Sequence, residues 1–228
     1  MAHICLLLSG AALLLNGLAT LGHLPRRDAA VFSLVIGGIQ LALGVTYLGV
    51  VSPGAAGDGV QLLLGASGMF LFGLTYVYVG LDFLLGLGSR GLGWFCGMVG
   101  LCGLLLAAAW SGEDPLLAVL WLCWTYLWLL FYLQLALGVA RLAPLIGWSL
   151  VLTSQASATV PAFMGLTGRW PGEPEIAAGA AVSLLVLLLL AGGLAWRGRR
   201  NLTAAAATDA AVPDAAVAGG PLPRELRL

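Results

Sequence analysis

Val60–Asp114 reads VQLLLGASGMFLFGLTYVYVGLDFLLGLGSRGLGWFCGMVGLCGLLLAAAWSGED. Two apolar runs, Val60–Leu85 and Leu92–Trp110, flank a short turn whose single charge is Arg90, and the acids Glu113 and Asp114 close the second run. Each run reaches the roughly 20 residues a helix needs to cross about 30 Å of hydrocarbon. Membrane-spanning strands are shorter and alternate polar with apolar residues, which these runs do not. Outward from this stretch the same grammar repeats. Further apolar runs cover Ile4–Leu21, Ala29–Val51, Leu116–Ala140, Leu145–Leu166 and Ile176–Trp196. Arg26–Arg27, Arg90, Arg141 and Arg197–Arg199–Arg200 follow the odd-numbered runs, whereas Asp58, Glu113–Asp114 and Glu173–Glu175 follow the even-numbered ones. Basic short loops stay in the cytoplasm, so the alternation predicts seven transmembrane helices, the N-terminus outside and the C-terminal tail inside. Arg169 alone among the flanking arginines breaks the rule.

Composition supports an all-α integral membrane protein. The 228 residues are 61% hydrophobic and 9% charged, against roughly a quarter charged in a soluble domain. A net charge of zero argues against nucleic acid as a partner. The first run is either a retained helix or a signal peptide; its arginines follow the apolar stretch instead of preceding it, which favours a retained helix. Abundant Ala, Gly, Leu and Arg fit a GC-rich bacterium, hence a multi-pass protein of the bacterial inner membrane. Loops of a few residues leave no room for a second domain. The expected organisation is a transmembrane domain over 1–200, with helices at about 4–21, 29–51, 60–85, 92–110, 116–140, 145–166 and 176–196, then a disordered Ala/Pro-rich cytoplasmic tail over 201–228.

Short loops make neighbouring helices antiparallel hairpins, with helices 1–2, 3–4 and 5–6 each carrying arginine at the tip. Helix 7, whose one polar side chain is Ser183, reads as peripheral and lipid-facing. Gly93, Gly97, Gly100 and Gly103 form a smooth stripe on helix 4, suited either to close packing within the bundle or to a subunit interface.

Polar groups are costly in hydrocarbon, so their positions mark a wet or functional interior. Ser9, Asn16 and Thr20 share a face of helix 1; Gln40, Thr46 and Tyr47 lie on helix 2; Thr75, Tyr78 and Asp82 follow one another on helix 3, with Tyr76 alongside; Thr153 to Thr159 form a polar patch on helix 6. Stripes of uncharged groups suit a neutral polar solute, and equally suit interhelical hydrogen bonds without a pore. Trp121, Trp124 and Trp128 line one face in the middle of helix 5, too deep for interfacial anchors; they are core packing or a slot for a flat molecule. Asp82, the one acid inside a run, either snorkels or pairs with an arginine, or couples transport to protons.

Enzymatic and energised functions find no support. No P-loop is present, and without lysine there is no retinal Schiff base. His3 and His23 are expected on opposite membrane faces, and Cys5, Cys96, Cys102 and Cys123 form no CxxC pair, so neither a metal site nor a cofactor is expected. No Ser–His pair or aspartyl dyad is available for intramembrane proteolysis.

Ala66-Ser-Gly-Met-Phe-Leu-Phe-Gly-Leu-Thr-Tyr-Val-Tyr78, Gly91-Leu-Gly-Trp-Phe95, Asp114-Pro-Leu-Leu-Ala-Val-Leu-Trp-Leu-Cys-Trp-Thr-Tyr-Leu-Trp128 and Thr159-Val-Pro-Ala-Phe163 resemble segments of the AmiS/UreI family of urea and amide channels, as does Phe32 through Gln40. The resemblance runs in order over residues 4–170. It implies three two-helix hairpins around a pore in each protomer, a homo-hexameric ring, and passive movement of urea or short aliphatic amides toward a cytoplasmic amidase or urease. Three departures stand out. Asp82 stands where the family's acid-gated urea channels have Asn, Thr153 stands where a pore Glu is usual, and the loop Ser52–Gly59 lacks histidine, which removes the apparatus for acid gating. The seventh helix resembles the amidase-linked members. The expected pore residues are Asn16, Thr75, Tyr78, Asp82, Trp121, Trp124, Trp128 and Thr153. Two alternatives remain at this level: a proton-coupled small-solute carrier using Asp82, and a non-conducting structural membrane protein.

Overall fold

The computed structural model describes residues 1–50 and 59–211. The outer-loop acid Asp58 and the tail from 212 onward lie outside the described residues. The fold is all-α: α1 (Ala2–Thr20), α2 (Arg26–Val50), α3 (Gly59–Leu85), α4 (Arg90–Trp110), α5 (Pro115–Phe131), α6 (Ala143–Ser154), α7 (Val160–Leu166) and α8 (Pro174–Ala211). Among the described residues six helices are long and apolar enough to cross a membrane; α5 reaches that length with the π turn Tyr132–Ala136 that continues it. The sixth apolar run is helical throughout Ala143–Leu166, but a second π turn, Gln155–Thr159, divides it into α6 and α7. Pro161 explains the interruption: it has no N–H for the carbonyl four residues back, and a widened turn absorbs the mismatch.

Local chemistry fixes the breaks. Asp114 caps α5, its side chain accepting from Leu117 N at 2.9 Å, with Pro115 in the first turn where no donor is needed. Between α3 and α4 the chain turns through Gly86 (φ 65°), Gly88 (φ 93°) and Ser89 (φ 60°). Serine in the left-handed region costs free energy that glycine would not. Both carboxylate oxygens of Asp82 hold Ser89, one accepting from its N–H at 2.8 Å and the other from its hydroxyl.

The most extensive helix pairs are α2 with α3, α4 with α5, and α1 with α6. This differs from the grouping by arginine-tipped turns: the two largest contacts run across the intervening joints, and the third brings the first helix against the sixth apolar run. Glycine explains it. A Cβ at Gly37 of α2 would meet the Gly73 carbonyl of α3 at 2.7 Å, and one at Gly17 of α1 would meet Val151 N of α6 at 2.9 Å. All four glycines of the α4 stripe face α5 or its π turn, so the stripe serves packing within the bundle. α1 and α2 are joined instead by amides. Gln40 donates to Cys5 O and Ser9 Oγ, both at 2.9 Å, and Asn16 donates to Ser33 Oγ at 2.9 Å.

The outside of the bundle is as apolar as its core, with Val35, Leu101, Leu105, Leu122 and Leu189 all exposed. Such continuous apolar surface belongs against lipid, and the chain is a multi-pass membrane protein. α8 packs on α6 and α5, and only 17% of its span is buried against 39–56% for the other five, which makes it the peripheral helix.

Candidate functional site

Two cavities lie between α1, α3 and α5. The first, about 150 Å³, is lined by Leu13, Asn16, Thr20, Thr75, Tyr76 and Trp128 among others, with Arg26 at one end. The second, about 320 Å³, is lined by His3, Ser9, Met69, Trp121 and Trp170 among others, with Asp114 at its far end. Phe72 and Trp124 belong to both linings and form the partition between them. A cavity of about 150 Å³ has room for a molecule the size of benzene, so the smaller chamber has room for a small planar solute.

The partition is built from aromatic faces. Trp124 meets Phe72 edge-on with centroids 5.0 Å apart, Trp128 lies 4.8 Å from Phe72, and Trp121 lies 5.9 Å from it. Trp121 and Trp128 are 6.2 Å apart and nearly parallel, with the Trp124 ring turned across Trp121. Helical spacing on α5 puts the three indoles on one side, and Gly68 of α3 makes room for Trp121, whose ring edge would meet a Cβ there at 2.7 Å. The Trp124 indole N–H donates to Ser157 Oγ at 3.2 Å, which fixes the ring.

The residues expected from sequence divide. Asn16, Thr75, Trp124 and Trp128 line the arginine-side cavity and Trp121 lines the acid-side one. Tyr78 lines neither; it faces α4, with its ring 6.0 Å from Phe95. Thr153 is fully buried in α6, donates to Ser149 O at 2.7 Å, and also lines neither. Asp82 is buried and held by Ser89, not by an arginine, and Ser89 is what reaches the cavity.

Sequence reasoning did not single out Phe72, because Met69-Phe70-Leu71-Phe72 is apolar on every side and offers no period to choose between its rings. Nor did it find the cluster at the far end. There the His3 ring lies 5.2 Å from Trp170, whose N–H donates to Asp114 Oδ2 at 2.9 Å. Burial holds the Asp114 carboxyl above its ordinary 3.8, opposed by the Leu117 and Trp170 N–H groups and by His3.

A lipid-facing bundle with two chambers meeting at an aromatic partition is the architecture of a membrane transport protein. A sequence model described as AmiS/UreI family transporter fits residues 1–169, and the chain belongs to that family. A protein of Rhodococcus erythropolis named "Putative transporter protein AmiS2" is 43% identical over 194 residues, which cover 84% of this chain and 91% of that one. A Mycolicibacterium smegmatis protein named "Putative amidate substrates transporter protein" is 35% identical over 184 residues, covering 80% and 84%. The cryo-EM structure of the Helicobacter pylori urea channel in its closed state shares the fold, with TM-score 0.67, 23% identity, 75% of this chain and all of that chain covered. The family model ends at residue 169, before α8 begins at Pro174.

Proposed function

We propose that this protein is a passive channel for urea or short-chain aliphatic amides and not an enzyme. The observation that carries the reading is the pair of chambers meeting at Phe72 and Trp124. Flat aromatic faces suit a planar, neutral solute and offer nothing to a hydrated ion. The amidate substrates in the name of the Mycolicibacterium smegmatis relative and the urea in that of the Helicobacter pylori channel support the same substrate class. In this reading seven helical segments cross the bacterial inner membrane, α6 and α7 together forming the sixth. The alternating arginines put the N-terminus outside and the tail in the cytoplasm. The protomers assemble as a hexameric ring and supply a cytoplasmic amidase or urease. Asn16, Thr75, Trp121, Trp124 and Trp128 are the lining groups. Tyr78 and Thr153 support the walls from behind, and Asp82 braces the α3–α4 turn.

Stopped-flow light scattering of proteoliposomes tests the reading. Urea and acetamide should equilibrate faster than in protein-free vesicles, and glycerol, which is not planar, should not. Absence of any protein-dependent flux would leave a structural protein.

Asp82→Asn separates channel from carrier. Its oxygens are occupied by Ser89, so flux down a gradient should persist in the variant. Neither form should accumulate acetamide above equilibrium when a proton gradient is imposed. Accumulation that appears in the parent and vanishes in the variant would make Asp82 a coupling group.

A further inference from the structure

Resting on the channel reading, one property of the arginine-side cavity follows from where its protons go. Asn16 donates through Nδ2 to Ala12 O at 2.8 Å and to Ser33 Oγ at 2.9 Å. A backbone carbonyl only accepts, so the nitrogen is the atom turned to the wall and Oδ1 is left for the cavity. Thr20 donates to Asn16 O and Thr75 to Leu71 O, each at 2.7 Å. The hydroxyl of Ser89 donates to the Asp82 carboxylate. All four residues line this cavity. Each has committed its protons to the protein and has lone pairs to offer. Tyr76 and Trp124 likewise direct their protons elsewhere, to Ser9 O at 3.4 Å and to Ser157 Oγ at 3.2 Å. The wall's remaining donor-bearing side chains are Trp128, Gln134 and Arg26, the last lying over the Phe83 ring at 5.8 Å.

We infer that the arginine-side cavity is an acceptor-lined filter that selects solutes by their N–H groups, passing primary amides and urea and holding back N,N-dialkyl amides. A primary amide replaces its lost water by donating two N–H bonds to these lone pairs. A dialkyl amide has none to give, so the wall's lone pairs are left unsatisfied. An ammonium ion would satisfy the same lone pairs, but the Arg26 charge at the mouth opposes it.

The test uses isomers, so that volume is constant. Propionamide has two N–H bonds and N,N-dimethylformamide has none. Their protein-dependent permeabilities are measured in the same proteoliposomes, with protein-free vesicles subtracted. The ratio does not depend on how much protein is folded. Propionamide should be favoured by about tenfold, the factor expected from one or two hydrogen bonds made or missed. The double variant Thr20→Val/Thr75→Val removes two acceptors and should bring the ratio most of the way to unity, with N,N-dimethylformamide as fast as before or faster. Equal permeabilities in the parent, or a ratio unchanged in the double variant, would overturn the filter and leave the channel standing. No protein-dependent flux of either isomer would overturn both.

Discussion

Gly93→Ala is expected to remove most of the folded protein, while Gly100→Ala, two helical turns along the same stripe, is tolerated. Both residues lie on the face of α4 that meets α5. At Gly93 an added Cβ would collide with the Ala136 backbone nitrogen and stand 2.8 Å from the Leu135 carbonyl carbon. These are main-chain atoms of the π turn, and no rotamer change can move them. At Gly100 the nearest atom to a new Cβ is 3.6 Å away, an ordinary contact. The first substitution should cost about 2 kcal/mol or more, as overpacking does, and the second should gain up to about 1 kcal/mol from helix propensity. Leu135 also lines the arginine-side cavity, so whatever Gly93→Ala protein survives should conduct poorly. Melting of the two purified variants in detergent decides it. Equal melting temperatures would mean that α4 and α5 are not as close as described.

That pair of glycines also shows where the sequence speaks and where it falls silent. A bilayer imposes a length on every crossing, so apolar runs such as Val60–Leu85 and Leu92–Trp110 differ by only a few residues from α3 and α4. Hydropathy is blind to hydrogen-bond register. Leu116–Ala140 and Leu145–Leu166 therefore read as plain helices although each contains a π turn, the second signalled only by Pro161. Charge says which end of a helix faces which way, but not which neighbour it touches. The neighbours are written in the glycines: Gly37 with Gly73, the α4 stripe with α5, and Gly17 with α6.

The site was legible in part for a related reason. Three indoles at helical spacing mark a face whatever surrounds them. Threonine does not mark one, because its hydroxyl can satisfy the carbonyl of the preceding turn and then sit anywhere. Thr75 and Thr153 make that same bond, yet Thr75 borders a cavity and Thr153 is sealed inside α6. Asp82 was conspicuous as a charge in an apolar run, and its use emerged only with the left-handed Ser89 seven residues on.

Trp124→Ala is expected to join the two cavities and to abolish discrimination against non-planar solutes. Trp124 and Phe72 are the residues common to both linings, and the indole is the larger of the two rings. Its removal leaves Phe72 facing an open passage between Trp121 and Trp128. Urea flux should rise on the order of tenfold, the effect of lowering a barrier by about 1.4 kcal/mol, and glycerol should begin to pass. Stability should suffer less than the about 3–5 kcal/mol of a Trp→Ala change in a close-packed core, because the ring already borders two cavities. Some loss is still expected, since Ser157 Oγ, fully buried, would lose the indole N–H that it accepts. Trp124→Phe isolates that component: it forfeits the same hydrogen bond but keeps a ring in the partition, so it should melt lower than the parent while still excluding glycerol. Stopped-flow measurement of urea and glycerol on all three proteins, beside their melting temperatures, distinguishes a partition from packing. Folded Trp124→Ala protein with parental permeabilities would show that solute does not cross between Phe72 and the indoles.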